Sequence, residues 1–303
     1  MTTGYVARPT RSGGGSARER LLAGMPVEER RFELADISTT VLMGGDGPPL
    51  VLLHGPGEFA GKWLRVLPDL VTTHRVIAPD LPGHGTSEVL RGRLDAGRVH
   101  AWLDERLAHT CPSPPTLVGH VLGGAIAARY AIDRGDRLAR LVLVDSLGLA
   151  PFRPAPRFAI TMIGFLARPD ERSYDRFMRQ CSYDLDGLRE QMADRWDPFV
   201  QYSLELARAP GVQRALRGLM PTFALRAIPP ADLARIAVPT TLIWGRHDRA
   251  TPLRVAERAS ERHGWPLHVI EGCADDPARD RPDAFVAALR VALGRSPSND
   301  PER

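Results

Sequence analysis

A tight turn between a predicted strand and a predicted helix constrains the fold of this chain most. The apolar run at residues 115–118 suits a buried strand, and the small side chains of residues 122–131 favour a closely packed helix. Between them, Gly119 and Gly123 flank Val121 at a spacing that relieves crowding where the chain reverses direction. The order strand, sharp turn, helix predicts an α/β protein with Val121 in the turn.

Three further segments occur in an order that fits the same architecture. Residues 50–57 join an apolar run to His-Gly-Pro-Gly, residues 78–87 carry Pro-Gly-His-Gly after a predicted strand, and residues 238–248 end another strand in His-Asp. With the turn, these segments resemble the α/β-hydrolase superfamily. The resemblance implies an α/β-hydrolase fold, which is a mostly parallel eight-stranded sheet flanked by helices and carrying an all-helical cap.

The apolar strand pattern stops after residue 145 and returns only at residue 238. We therefore expect five segments: a flexible tail at 1–17, a hydrolase core at 18–146 and 231–293, a helical cap at 147–230, and a second tail at 294–303. Proline breaks predict five cap helices, at residues 157–167, 173–181, 185–194, 198–208 and 212–219. This cap is similar to that of hydrolases that cleave carbon–carbon bonds in aromatic ring degradation.

Two positions that carry catalysis in the family differ in this chain. The resemblance implies a nucleophile at position 121, which is valine, and a histidine after the last strand, where Gly-Cys-Ala-Asp-Asp-Pro places Asp275. A shift of one residue would place Asp276 there instead. The family's acid is present as Asp248. Valine offers no nucleophilic atom, which excludes hydrolysis through an acyl-serine and displacement by an aspartate nucleophile.

The resemblance also implies an incomplete oxyanion hole. In the family, the residue after His54 and Gly55 lends a backbone N–H, but here it is Pro56, which has none, so only the Leu122 amide would remain as a donor. Loss of one such donor costs about 10²–10³-fold in turnover. We interpret the replacement of nucleophile, base and donor together as a site that is re-used or retired.

Two carboxyl groups are candidates for the remaining chemistry. The family geometry implies that Asp248 and Asp275 face each other near hydrogen-bond distance. Two carboxyls this close cannot both ionise cheaply, so one could act as general acid and the other as general base. Alternatively, Asp275 is a solvated loop charge. Arg246 and Arg249 flank Asp248 and could neutralise the pair.

Histidines and aromatic residues supply the other candidates. His120 is the best histidine to replace the missing base, although we expect its side chain to point away from Val121. The remaining histidines are interpreted as hydrogen-bonded loop residues. The residues expected to line the substrate pocket belong to the His-Gly loop and the cap, and they are His54, Gly55, Gly57, Phe152, Phe177 and Trp196.

Composition limits the class of partner. The net charge is +4, but the arginines are interleaved with acids, which argues against a nucleic-acid surface. The three cysteines are widely separated, no apolar stretch reaches the roughly 18 residues of a membrane span, and no ligand spacing predicts a metal. We expect a cytoplasmic protein with a small-molecule ligand, no metal or cofactor, and no nucleic-acid or membrane partner. The sequence does not set an oligomeric state.

Three functions remain open. The first is an enzyme in which Asp248 and Asp275 perform acid–base chemistry, without hydrolysis, on a small apolar oxygenated substrate. The second is a retired hydrolase that binds a ligand or a partner. The third is an atypical hydrolase in which Asp275 activates water directly.

Overall fold

The computed structural model describes residues 15–294, and all structural statements refer to these residues. The predicted tails therefore lie outside the description, apart from residues 15–17 and Gly294. Ser16 caps the first helix, which runs from Ala17 to Leu22.

The described chain forms one central sheet of nine strands. The strands are β1 (Glu28–Leu34), β2 (Ile37–Gly44), β3 (Pro49–Leu53), β4 (Arg75–Pro79), β5 (Glu88–Val89), β6 (Thr116–His120), β7 (Arg140–Val144), β8 (Thr240–Gly245) and β9 (Leu267–Ile270). Their order is β1-β2-β4-β3-β6-β7-β8-β9, and the two-residue β5 pairs with β2. Strands β3, β4 and β6 to β9 pair in parallel, whereas β1 and β2 pair antiparallel. This confirms the predicted fold.

The sheet is covered on both faces because successive side chains of its strands point in opposite directions. In β3, Leu50 and Leu52 join one hydrophobic cluster, whereas Val51 and Leu53 join the other. A parallel sheet buried on both faces produces such uninterrupted apolar runs.

Thirteen α-helices surround the sheet in the described chain. They are α1 (Ala17–Leu22), α2 (Leu67–Leu70), α3 (Ala96–Thr110), α4 (Leu122–Arg134), α5 (Pro156–Ala167), α6 (Glu171–Cys181), α7 (Leu185–Met192), α8 (Trp196–Arg208), α9 (Pro210–Leu219), α10 (Pro230–Leu233), α11 (Arg254–His263), α12 (Pro277–Asp280) and α13 (Pro282–Ala292).

Helices α5 to α9 form the insert between β7 and β8, and their bounds follow local sequence signals. Asp170 and Asp184 cap α6 and α7 by accepting backbone hydrogen bonds, and Pro156 and Pro210 occupy the first turns of α5 and α9. Helix α7 ends two residues earlier than predicted because Ala193–Arg195 forms a 3₁₀ turn. The helical insert of the predicted fold is thereby confirmed.

Candidate active site

The turn between β6 and α4 holds Val121 in a strained conformation. Its φ of 48° and ψ of −103° are unusual for a β-branched residue. The tight packing around it explains the glycines, since a Cβ on Gly119 would lie 2.4 Å from the Gly123 carbonyl oxygen. Such strain costs about 1–3 kcal/mol and persists only where the surroundings impose it.

The side chain at this turn is apolar and almost buried. Val121 is 8% exposed and belongs to the hydrophobic cluster on the α4 side of the sheet, together with Leu122, which begins α4. The neighbouring loop holds Pro56 and Gly57, both half-buried. The turn therefore presents no reactive atom.

Three carboxyl groups meet at the edge where β7, β8 and β9 end. Asp145 directly follows β7, Asp248 follows β8 and Asp275 follows β9. Because these parallel strands are neighbours in the sheet, their carboxyl ends lie side by side. All three residues are buried, with exposed fractions of 1%, 6% and 8%. We call them the carboxyl cluster.

Asp248 and Asp145 are electrostatic neighbours, because the charge of Asp248 raises the pKa of Asp145, and Oδ2 of each carboxyl is buried without a hydrogen-bond partner in the described chain. Asp248 Oδ1 accepts from the backbone N–H groups of Ala250 (2.7 Å) and Thr251 (2.8 Å), and Asp145 Oδ1 accepts from Gly245 N (2.9 Å). Asp145 was not predicted as a site residue from the sequence.

The pKa values of all three residues of the carboxyl cluster are raised. Burial raises the pKa of Asp248 to about 7, although the two backbone hydrogen bonds oppose the rise. Burial and the charge of Asp248 raise the pKa values of both Asp145 and Asp275 well above the ordinary range. Burial therefore favours the protonated forms of Asp145 and Asp275, and Asp248, with a pKa of about 7, lies between its two forms at neutral pH.

Asp275 is enclosed rather than solvated. Its backbone oxygen lies 2.7 Å from His120 Nε2, and its carboxyl group adds to the effect of burial in raising the pKa of the Cys181 thiol at the end of cap helix α6. The nearest guanidinium nitrogen, Arg279 Nη2, is 3.9 Å from Asp275 Oδ1. The alternative of a solvated loop charge does not match this burial.

Asp276, the next residue, has a different role. Its Oδ1 is 2.9 Å from Lys62 Nζ, its Oδ2 is 3.3 Å from Arg279 Nη1, and it caps α12. Burial alone would raise the pKa of Asp276, but Lys62 and Arg279 lower it below the ordinary value. Asp276 is thus an ionised structural residue, and Asp275 is the one that faces Asp248.

Glu58 and His120 extend this charged network towards the His-Gly loop. Glu58 Oε2 accepts from Gly55 N (2.7 Å) and lies 3.5 Å from His120 Nδ1. Burial opposes its charge, yet Lys62 and His120 hold the pKa of Glu58 below its ordinary value. His120 packs against Trp63, whose cluster covers the opposite face of the sheet from that of Val121. As the sequence suggested, His120 does not face Val121.

The other histidines are structural. His54 Nε2 accepts from Leu81 N (2.9 Å) while its Nδ1 lies 2.8 Å from Gly55 O, and burial lowers its pKa to about 4. His84 is also buried, which lowers its pKa to about 3. Both rings are therefore neutral near pH 7.

The cap aromatics differ in their surroundings. Phe152 packs against both hydrophobic clusters and so reaches the cluster that holds Val121. Phe177 contacts Phe158 and Phe165 within the cap, and Trp196 contacts Phe199 and the Arg189 guanidinium. These contacts place Phe177 and Trp196 in the packing of the cap itself.

The two arginines beside Asp248 act on different partners. Arg246 forms an exposed ion pair with Glu271, whereas Arg249 donates to the carbonyl oxygens of Gln180 and Ser182 in the cap. The charge of Arg249 lowers the pKa of Asp248, yet burial outweighs it. Among residues 15–294, no group of three His, Cys, Asp or Glu side chains is arranged to hold a metal ion.

The comparisons with known proteins agree with this architecture. A sequence profile described as alpha/beta hydrolase fold matches residues 48–275. The chain belongs to this family. It is 30% identical over 272 residues to a 2-hydroxy-6-oxo-6-phenylhexa-2,4-dienoate hydrolase of Comamonas testosteroni, with 84% of this chain and 90% of that protein covered.

Two further relatives are matched over all or nearly all of their own length. A pimeloyl-[acyl-carrier protein] methyl ester esterase of Aeromonas hydrophila is 28% identical, with 85% of this chain and all of that protein covered. The structure of a 2-hydroxy-6-oxo-6-phenylhexa-2,4-dienoate hydrolase from Rhodococcus sp. strain RHA1 superimposes with a TM-score of 0.76 at 26% identity, covering 88% of this chain and 99% of that one. The chain is therefore similar both to esterases and to carbon–carbon bond hydrolases.

Proposed function

We propose that this family member lacks the covalent nucleophile and the histidine base of its relatives and catalyses proton transfer on a small apolar oxygenated substrate. The observation that carries the proposal is the carboxyl cluster, in which Asp248, with a pKa of about 7, lies among two further buried carboxyls whose pKa values are raised. A general base works best when its pKa lies near the operating pH.

Each carboxyl would have a distinct role. Asp248 accepts a proton from the substrate, because about half of it is ionised near pH 7. Asp275, which is protonated and slightly exposed, donates a proton to the substrate. Asp145 is 1% exposed, is held by Gly245 N and acts on Asp248 through charge, so it is a positioning residue. The net reaction would be an isomerisation, cyclisation, elimination or lyase cleavage.

The named substrate of the Comamonas relative suggests a suitable first probe. A 2-hydroxy-6-oxo-dienoate is an enol conjugated with a ketone, so proton transfer alone converts it to a dioxo isomer of the same mass. Cleavage of its carbon–carbon bond instead consumes one water. The two reactions are therefore separated by product mass.

The test compares the unmutated protein with Asp248→Asn on this dienoate and on a metabolite extract, with products followed by mass spectrometry. We expect products of unchanged mass, products one water lighter, or two fragments whose masses sum to that of the substrate, and a loss of about 10²-fold or more in rate in the variant. The rate should also rise as pH increases to about 7, because Asp248 must ionise to act as a base. Asp46→Asn, at an exposed site, is the matched control.

Other outcomes would contradict the proposal. A product one water heavier would indicate that an aspartate activates water and that the protein is an atypical hydrolase. Retention of one metabolite without turnover would indicate a retired hydrolase that binds a ligand. One observation favours this ligand-binding function. The side chain of Val121, at the strained turn, packs within a hydrophobic cluster.

A further inference from the structure

Cap helix α5 has an apolar surface on its outer side as well as on its inner side. Inside, Phe158 and Phe165 are buried and contact Phe177. Outside, Ile160, Ile163 and Leu166 are 69%, 62% and 54% exposed. These three residues are spaced by three along the helix and therefore form one row, which we call the apolar ridge.

The apolar ridge is unusual within this protein. Only seven large hydrophobic side chains are exposed among residues 15–294, and three of them form the ridge. Gly164 and Ala167, also exposed on α5, add no polar group to its surface. A helix that is apolar on all sides is normally covered by something.

The charged residues of the segment that carries the ridge are all arginines. Residues 147–169 contain three arginines, Arg153, Arg157 and Arg168, and no aspartate or glutamate. All three arginines are exposed. At the end of α5, Arg208 of α8 donates to the Pro169 carbonyl oxygen at 2.7 and 2.9 Å and adds a fourth cation.

Few acids counter these cations. The nearest in sequence are Asp170 and Glu171, at the start of α6, and Asp170 Oδ2 lies 3.1 Å from Arg168 Nε. The ridge therefore has cations at both of its ends, and only the end next to α6 carries an acid.

We propose that the apolar ridge and its arginines dock this protein on an anionic lipid surface. An apolar helix face flanked by arginines is the pattern that seats a helix in the interface of an anionic membrane. A second copy of the chain fits less well, since two-fold pairing of α5 would bring the same arginines together. Such docking requires no membrane span, and no helix of the described chain is long and apolar enough to form one.

Docking on lipid would also place the cap against a reservoir of apolar compounds. The segment between β7 and α5 carries Phe152, which packs against the cluster that contains Val121. The ridge thus lies one short segment from the candidate active site. The docking proposal stands independently of the proposed chemistry, because it rests on α5 and is tested without a substrate.

The test is sedimentation of the full chain with vesicles of phosphatidylcholine alone or mixed with phosphatidylglycerol. We expect binding to the anionic vesicles that weakens with added salt. Ile163→Glu should weaken it about tenfold or more, since a large apolar side chain can no longer be buried. Arg157→Gln should weaken it about fivefold, which is the effect of one arginine near an anionic surface.

The matched control is Val291→Glu, which alters another exposed apolar residue on a helix, at 43% exposure, far along the chain on α13. It should bind vesicles as the unmutated protein does. Unchanged thermal unfolding of each variant shows that folding is intact. Equal binding to neutral vesicles, no binding at all, or an unaffected Ile163→Glu would overturn the proposal. So would light scattering that shows a dimer which Ile163→Glu dissociates.

Discussion

Two neighbouring regions of this protein hold aspartates in opposite states. In the carboxyl cluster, Asp275 lies near Asp145 and Asp248, and its pKa is raised well above the ordinary value. In the charged network, Asp276 lies between Lys62 and Arg279, and its pKa is lowered. The two residues are adjacent in sequence and both are buried, at 8% and 1% exposure.

The difference shows that burial alone does not decide the charge of an acid. Asp276 is the more buried of the two, yet it is ionised because two cations lie within 3.3 Å. Asp275 has one guanidinium at 3.9 Å and a carboxyl neighbour, so the neutral form is favoured. Paired charges stabilise the loop after β9, and unpaired carboxyls leave protons available for chemistry.

The variant with the largest expected effect on this comparison is Lys62→Met. It removes the nearest cation from Asp276 and also the charge that keeps Glu58 ionised. Leaving a buried charge without its partner costs about 3–5 kcal/mol. We expect a loss of that size in the free energy of unfolding, measured by urea denaturation at pH 7.

A double variant serves as the control for that loss. In Lys62→Met with Asp276→Asn, both charges of this ion pair are removed while Arg279 and Glu58 keep theirs, and asparagine can still cap α12. At least half of the lost stability should return. A loss below about 1 kcal/mol in the single variant would show that the ion pair behaves like a surface pair.

The second test concerns Asp248. Its pKa rises from 3.8 in the unfolded chain to about 7 in the folded protein. Between these values Asp248 binds more protons in the folded state, so its own contribution to the free energy of unfolding falls as pH rises, by about 4 kcal/mol in total, and this contribution levels off above pH 7. The pKa of Asp276 is lowered on folding, so its contribution to the free energy of unfolding has the opposite sign and is lost as the pH falls.

Asp248→Asn should remove this fall, because asparagine does not titrate. The variant should therefore lose less stability between pH 4 and pH 7 than the unmutated protein, measured by urea denaturation at each pH. Asp46→Asn, which changes an exposed acid, should follow the unmutated protein. A pH dependence that is the same in all three proteins would refute the raised pKa of Asp248.

Much of the fold could be predicted from the sequence. The apolar runs of β3, β6 and β8 are long enough to show a buried sheet, and prolines and aspartates mark the cap helices. Strand β1 is harder to predict, because five of its seven residues are charged and its alternation is between half-buried and exposed side chains. Its pairing with β2 is decided by the tertiary structure.

The site was less predictable. The resemblance led to Asp248 and Asp275, but Asp145 was missed, although it directly follows the buried strand β7 that neighbours β8. Lys62 was also missed. It is the only lysine in the sequence, beside 39 arginines, and this was the one feature of the sequence that could have drawn attention to it. Its pairing with Asp276 joins residues 214 positions apart, which no local pattern could predict.

The smallest test compares the two arginines that flank Asp248. The charge of Arg249 lowers the pKa of Asp248, so Arg249→Gln should shift the titration of Asp248 upward. The expected shift is about half a pH unit, because Arg249 is partly exposed and solvent screens its charge. Arg246→Gln is the matched control, because Arg246 pairs with Glu271 at the exposed surface. Both can be followed by carboxyl carbon NMR across pH 4–9. Equal shifts of the Asp248 titration in the two variants would mean that both arginines act on Asp248 through long-range charge alone. The contacts of Arg249 with the cap would then not be what holds Arg249 beside the carboxyl cluster.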